Sequence, residues 1–124
     1  MPHPNFIILY VDNTAASEQF YSTILGMKAI ESSPTFAMFA LDSGVMLGLW
    51  SKHTAIPAPS HQQMGGTCEI AFALGSKAIV DQTYHDWKER HLAMVQEPVE
   101  LDFGYTFVAT DLDGHRLRVF APGN

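Results

Sequence analysis

The sequence predicts an α+β fold built from two βαβββ modules in tandem, and three observations predict it. Strand-like and helix-like segments follow one another in the same order in both halves of the chain. A stretch with Pro57, Pro59 and Gly65-Gly66 and little periodicity separates the halves. Short matches recur when the chain is slid on itself. At 64 positions Phe6-Ile7-Ile8 falls on Ile70-Ala71-Phe72 and Phe20 on Tyr84; at 70, Asp42-Ser43-Gly44 falls on Leu112-Asp113-Gly114. One domain spanning 1–124 is expected, with module one at 1–52, a linker at 53–66 and module two at 67–124.

Asn5 to Val11 is an apolar run with β-branched residues, the pattern of a well-buried strand. Asp12-Asn13-Thr14 supplies capping side chains. Ala16, Phe20 and Ile24, with Tyr21 and Leu25, then recur four apart until Gly26, which predicts a helix ending there. Met27 to Ser32 reads as an edge strand, and Thr35 to Leu41 with Val45 to Trp50 as a hairpin turned by Asp42-Ser43-Gly44. In the second half Glu69 to Leu74 is a strand, and Ser76 caps a helix whose Val80, Tyr84, Trp87 and His91 share a face. Met94 to Val99, Tyr105 to Thr110 and His115 to Phe120 complete the module as strands, the last fed by the turn at Asp113-Gly114.

The 124 residues are 47% apolar and 16% charged, as in a globular protein, and no run approaches the roughly 18 to 20 apolar residues of a membrane span. A net charge of −6 from seven Lys and Arg among thirteen acids argues against nucleic acid, because phosphate binding needs a basic face. A small molecule becomes the expected partner class. Cys68 is the single cysteine, so no intrachain disulfide forms. Met-Pro-His-Pro-Asn also lacks the basic and apolar regions of a secretory signal, so a cytoplasmic setting is expected. Cys68 has no cationic neighbour in sequence to activate it and is expected to be a buried thiol. The six His show no ligand spacing. His85 and His91 would lie about 240° apart on a helix, His53 and His61 fall in the linker, and all six are expected to be solvated or capping.

The opening strand followed by Asp12-Asn13-Thr14-Ala15-Ala16-Ser17-Glu18-Gln19-Phe20-Tyr21, then Leu25-Gly26-Met27, with a closing Asp111-Leu112-Asp113-Gly114 strand, resembles the vicinal oxygen chelate superfamily. That group contains glyoxalase I, extradiol dioxygenases and the bleomycin- and fosfomycin-resistance proteins. The resemblance covers nearly the whole chain. It implies that each module curls its sheet into a half-open cup, and that two modules, often from different subunits of a dimer, enclose a cavity. The family's metal enzymes carry His or Gln, Glu, His and Glu at positions that fall here on Asn5, Gly48, Glu69 and Arg118. A guanidinium never deprotonates and repels a cation, and the donors left are too few for a catalytic ion. No metal, no cofactor and no catalytic residue is therefore expected.

Alternation along the strands places Asn5, Ile7 and Leu9 on the pocket wall facing Met46, Gly48 and Trp50, with Glu69, Ala71, Ala73 and Arg116, Arg118, Phe120 from module two. Trp50, two residues beyond a glycine that leaves space beside it, offers a flat face to an aromatic ligand. Phe36 or Met38, and Tyr105 or Phe107, are expected in the opposing wall. With Pro4-Asn5, Leu9-Tyr10-Val11 and Leu49-Trp50-Ser51, this combination resembles the metal-free drug-binding branch of the superfamily, particularly the phenazine-resistance proteins. The resemblance implies a homodimer, possibly module-exchanged, that sequesters a planar aromatic antibiotic or metabolite, with an arginine holding a ligand carboxylate. Two other readings stay open: a lyase, isomerase or dioxygenase of the same fold using Glu69 as general base, and a structural dimer with a filled cup. A Glu69–Arg118 pair would depress the Glu69 pKa and weaken the first of these.

Overall fold

The computed structural model describes residues 2–60 and 68–123. The chain divides into two compact units, Met1–Gln63 and Met64–Asn124. The first holds β1 (Phe6–Val11), α1 (Thr14–Leu25), β2 (Glu31–Ser32), β3 (Phe36–Ala40) and β4 (Met46–Ser51). The second holds β5 (Glu69–Ala73), α2 (Lys77–Glu89), β6 (Ala93–Leu101), β7 (Gly104–Thr110) and β8 (Arg116–Pro122). Each is a βαβββ module with one four-stranded sheet, ordered β1-β4-β3-β2 and β5-β8-β7-β6. In both, the first strand pairs in parallel with the last and the other neighbours are antiparallel. Positions 61–66 of the expected linker, with His61 and Gly65-Gly66, lie outside the described residues.

In the first unit the Asn13 side chain accepts from the Ala16 N–H at 3.0 Å, opening α1, and Gly26 closes it in the left-handed region at φ 66°. Thr14, Ser17 and Tyr21 form the buried stripe of α1; of the expected Ala16, Phe20, Ile24, Tyr21 and Leu25, Tyr21 belongs to it and the others are half-buried. Small residues at two positions of the stripe let the helix lie close to the sheet, whose buried residues are Leu9, Val11, Ala37, Phe39, Leu47 and Leu49. The edge strand is shorter than Met27 to Ser32. Met27 is still spent on the helix end, where its N–H donates to the Ser22 carbonyl and its own carbonyl accepts from Ser22 Oγ, so only Glu31–Ser32 pairs with β3.

In the second unit Ser76 Oγ accepts from the Ile79 N–H at 3.2 Å, and Val80, Tyr84 and Trp87 form the buried stripe of α2. The Trp87 ring meets Phe72 and Phe107 edge-on at 5.5 and 5.6 Å, and Tyr84 meets Phe107 at 5.3 Å. These edge-to-face contacts are the favoured geometry of an aromatic core. His91 does not join the stripe: α2 ends at Glu89, Arg90 caps it, and His91 sits exposed at φ 66°.

Candidate functional site

Each sheet has one face under its helix and one open face, and register decides which residues share the open one. In β1 and β4 the partners are Phe6↔Met46, Ile8↔Gly48 and Tyr10↔Trp50, and β3 adds Phe36↔Trp50 and Met38↔Gly48. Paired residues project from the same side of a sheet. The open face of module one therefore carries Phe6, Ile8 and Tyr10 beside Met46, Trp50, Phe36 and Met38. Phe6, Ile8 and Tyr10 are 42%, 42% and 41% exposed; of the opposite parity, Leu9 and Val11 are buried, while Ile7 near the start of the strand is 47% exposed.

This corrects the placement of Asn5, Ile7 and Leu9 on the wall with Trp50. Ile7 pairs with Leu47 and Leu9 with Leu49 on the helix side, and Asn5 precedes the strand, where its carbonyl accepts the Met46 N–H at 2.9 Å. The physical reason is a slip of one residue, which moves every side chain of a strand to the other face. The two helix N-caps, Asn13 and Ser76, stand 63 positions apart, as do Phe6 and Glu69, which pair with Met46 and Arg116 respectively. The first strand and helix thus repeat at 63, and the module-one counterpart of Glu69 is Phe6.

Gly48 also plays a different part from the one expected. The space above it is filled: a Cβ there would sit 2.9 Å from Phe6 Cε1 and 3.1 Å from Phe36 Cε1 and Cζ. The glycine lets two rings close over β4, next to the Tyr10 and Trp50 rings, whose centroids are 6.3 Å apart with a 34° tilt. An apolar, aromatic surface results, with Met38 and Met46 as its adaptable members.

In module two the expected parity holds for β5 and β8: Glu69↔Arg116, Ala71↔Arg118 and Ala73↔Phe120 share a face. For β7 the register puts Thr106 and Val108, both buried, on this side, opposite Phe120 and Arg118. Tyr105 and Phe107 face the helix instead, with Tyr105 Oη donating to Asp81 Oδ1 of α2 at 2.7 Å and Phe107 packed on Tyr84 and Trp87. The Asp81 carboxylate raises the Tyr105 pKa by holding its proton. Neither residue lies on the open face of its sheet.

The pairing that the sequence left open is made. Arg118 Nε donates to Glu69 Oε2 at 2.9 Å and Nη2 to Glu69 Oε1 at 3.1 Å, while Nη1 donates to Thr106 Oγ1 at 3.1 Å. Thr106, fully buried, donates its own hydroxyl hydrogen bond to the Val119 carbonyl at 2.9 Å. The Phe103 ring covers the guanidinium at 5.4 Å and touches the Phe120 ring at 5.8 Å. Arg116 Nη1 stands 3.6 Å from Glu69 Oε1, an ion pair longer than the Arg118 contacts. The Arg118 hydrogen bonds, helped by the charge of Arg116, hold the Glu69 carboxyl below its ordinary pKa, against a smaller opposing effect of burial.

A metal does not fit these positions. Arg118 is a fixed cation whose donors take both Glu69 oxygens, and Gly48 offers no donor atom. The same clasp makes Glu69 a poor general base, because a depressed pKa lowers its basicity near neutrality. Asp111, Asp113 and His115 bring possible ligand atoms within 4.8 Å of one another. Turn geometry accounts for that cluster: Asp111 Oδ1 accepts the Asp113 and His115 N–H groups at 2.9 Å, and Oδ2 meets His115 Nδ1 at 2.7 Å. His115 is thereby largely buried rather than solvated, and Cys68, expected inside, is exposed.

Sequence reasoning missed Phe6, Ile8, Tyr10, Phe103 and Thr106. The N-cap spacing is the signal that would have found the first three. Phe103 lies in the β6–β7 turn, where strand parity says nothing about it. A cavity of about 530 Å³ in module two, lined by Ser76, Lys77, Glu100 and Tyr105 among others, is off the open face, and its Lys77 is ion-paired to Glu100. Among the described residues, no helix is long and apolar enough to cross a membrane.

The fold agrees with that of known proteins this chain resembles. A phenazine antibiotic resistance protein, EhpR of Enterobacter agglomerans, is 28% identical over 119 residues, covering 94% of this chain and 89% of its own. A protein of Agrobacterium tumefaciens with a solution NMR structure is 52% identical, with all of both chains covered and a TM-score of 0.89. A glyoxalase/bleomycin resistance protein/dioxygenase from Nocardioides is 26% identical at a TM-score of 0.82, covering 98% of this chain and 84% of its own. The family model of this superfamily matches residues 3–119. With two βαβββ modules and that match over nearly its whole length, the chain belongs to the Glyoxalase/Bleomycin resistance protein/Dioxygenase superfamily.

Proposed function

We propose that this protein binds a planar aromatic small molecule and sequesters it without turnover. The carrying observation is the exposed aromatic face of module one, where Phe6, Tyr10, Phe36 and Trp50 stand together with Met38 and Met46. Exposed apolar area of this kind is a binding surface in the making. Stacking on it would bury about 200 to 300 Å² of a tricyclic ligand, a gain of about 5 to 7 kcal/mol before association costs. The relative named as a phenazine antibiotic resistance protein supports a phenazine-like ligand and a resistance role. A homodimer belongs to the same reading, as the family resemblance implies, and light scattering of the purified protein checks it.

The test is a titration with phenazine and phenazine-1-carboxylate followed by tryptophan fluorescence. Saturable quenching is expected below about 100 μM, which corresponds to about 5 kcal/mol of binding free energy. No quenching by either compound would sink the proposal.

A further inference from the structure

We infer that the open face of module one takes a planar aromatic cation, with the Glu31 carboxylate at its rim supplying the countercharge. This rests on the proposed binding role of that face and assigns the charge of its ligand.

Register and a helix contact fix the side on which Glu31 lies. Glu31 pairs with Met38 and Ser32 with Ala37. Ser32 Oγ donates to Glu18 Oε1 of α1 at 2.6 Å, so Ser32 faces the helix. Glu31, its neighbour in β2, therefore projects from the open side, the side of Met38 and Phe36. It stands directly across from Met38, about 5 Å away between Cβ atoms, and diagonally from Phe36 at about 7 to 8 Å. A ring stacked on Phe36 has this carboxylate at its edge. Glu31 is exposed, and among the described residues the ion pairs of the first unit join Asp12 to Lys52 and His53 and leave Glu31 out.

The rest of the face favours the same charge. The four strands of module one contain no Lys or Arg, and Glu31 is their one charged residue. The arginine expected to hold a ligand carboxylate is not here: Arg116 and Arg118 belong to module two, where both are paired with Glu69. The π-faces of Phe6, Tyr10, Phe36 and Trp50 attract a cation through their quadrupoles, Trp50 most strongly. Among the described residues, the Lys and Arg groups that lie over rings, Lys77, Lys88 and Arg118, all do so in module two, over Tyr105, Tyr84 and Phe103. The rings of module one thus keep their cation-binding capacity for a ligand. A chain of net charge −6 adds a long-range pull in the same direction.

The test compares dissociation constants of 5-methylphenazinium, phenazine and phenazine-1-carboxylate, three tricycles of nearly one shape and different charge, for wild type, Glu31→Gln and Glu31→Lys. Wild type is expected to bind the cation most tightly and the carboxylate least. Glu31→Gln should lose about threefold in methylphenazinium affinity with phenazine unchanged, and Glu31→Lys should lose more of it and gain affinity for the carboxylate. Added NaCl should narrow the difference between the charged compounds in wild type. Methylphenazinium held no more tightly than phenazine by wild type, or a cation preference of the same size in Glu31→Gln, overturns the inference while leaving aromatic binding intact. Binding of none of the three overturns the proposed function with it.

Discussion

Arg118 and Glu69 clasp each other diagonally across β8 and β5, Nε to Oε2 at 2.9 Å and Nη2 to Oε1 at 3.1 Å, although Arg118 is registered with Ala71 and Glu69 with Arg116. The diagonal is what a long side chain can reach on one face of a sheet. A double-mutant cycle with Glu69→Gln and Arg118→Met is expected to give a coupling energy of about 0.5 to 1 kcal/mol. The value is held to that range because Glu69 is partly exposed and screened. The folded-state pKa of Glu69 is depressed. Its contribution is therefore present above the ordinary carboxylate pKa and lost as pH falls through the lower folded value. Urea melts between pH 3 and 6 should show this loss in wild type and not in Glu69→Gln.

The Asp111–His115 pair behaves in the opposite sense. Its hydrogen bond raises the His115 pKa above the ordinary 6.5, outweighing the effect of burial. The stabilisation is complete below 6.5 and disappears as pH rises through the higher folded value. Wild type is expected to lose melting temperature over that rise, and His115→Gln to show a flatter profile. NMR titration of the His115 ring gives the folded pKa directly; a value at or below 6.5 would refute the assignment.

The order of elements and the helix caps were readable because local signals set them: Asn13 and Ser76 as caps, Gly26 as a left-handed stop, and Val80, Tyr84 and Trp87 at helical spacing. Strand parity was harder. A continuous apolar run such as Phe6-Ile7-Ile8-Leu9 carries no alternation, so the sequence does not say which side faces the helix. An offset of 64 between the modules, in place of the 63 that separates the N-caps Asn13 and Ser76, turns β1 over. In module two Glu69, Arg116 and Arg118 mark one face of β5 and β8 by charge, whereas Tyr105 and Phe107 of β7 carry no such mark. The Arg118–Glu69 contact depends on register between strands 49 positions apart, and no local pattern specifies it.

Gly48 tests whether the aromatic face of module one is one packed unit. A Cβ 2.9 Å from Phe6 Cε1 and 3.1 Å from Phe36 forces the two rings apart. Gly48→Ala is expected to destabilise the protein by about 1 kcal/mol, and Gly48→Val by about 2 to 3, as overpacking does. Urea denaturation measures this. Both variants should also weaken phenazine binding, since the displaced rings no longer form one surface with Trp50.

The two tryptophans separate binding from folding. Trp87, on α2, is 4% exposed and packs edge-on against Phe72 and Phe107, whereas Trp50 is half-buried on the open face beside Tyr10. A ligand stacking on module one should therefore quench Trp50 and leave Trp87 unaffected. Trp50→Phe is expected to remove most of the ligand-dependent quenching with a change in stability within about 1 kcal/mol, as for a partly exposed substitution. Trp87→Ala should instead cost about 3 to 5 kcal/mol by opening the core. Quenching that persists in Trp50→Phe would move the ligand away from the module-one face and onto surfaces that report through Trp87.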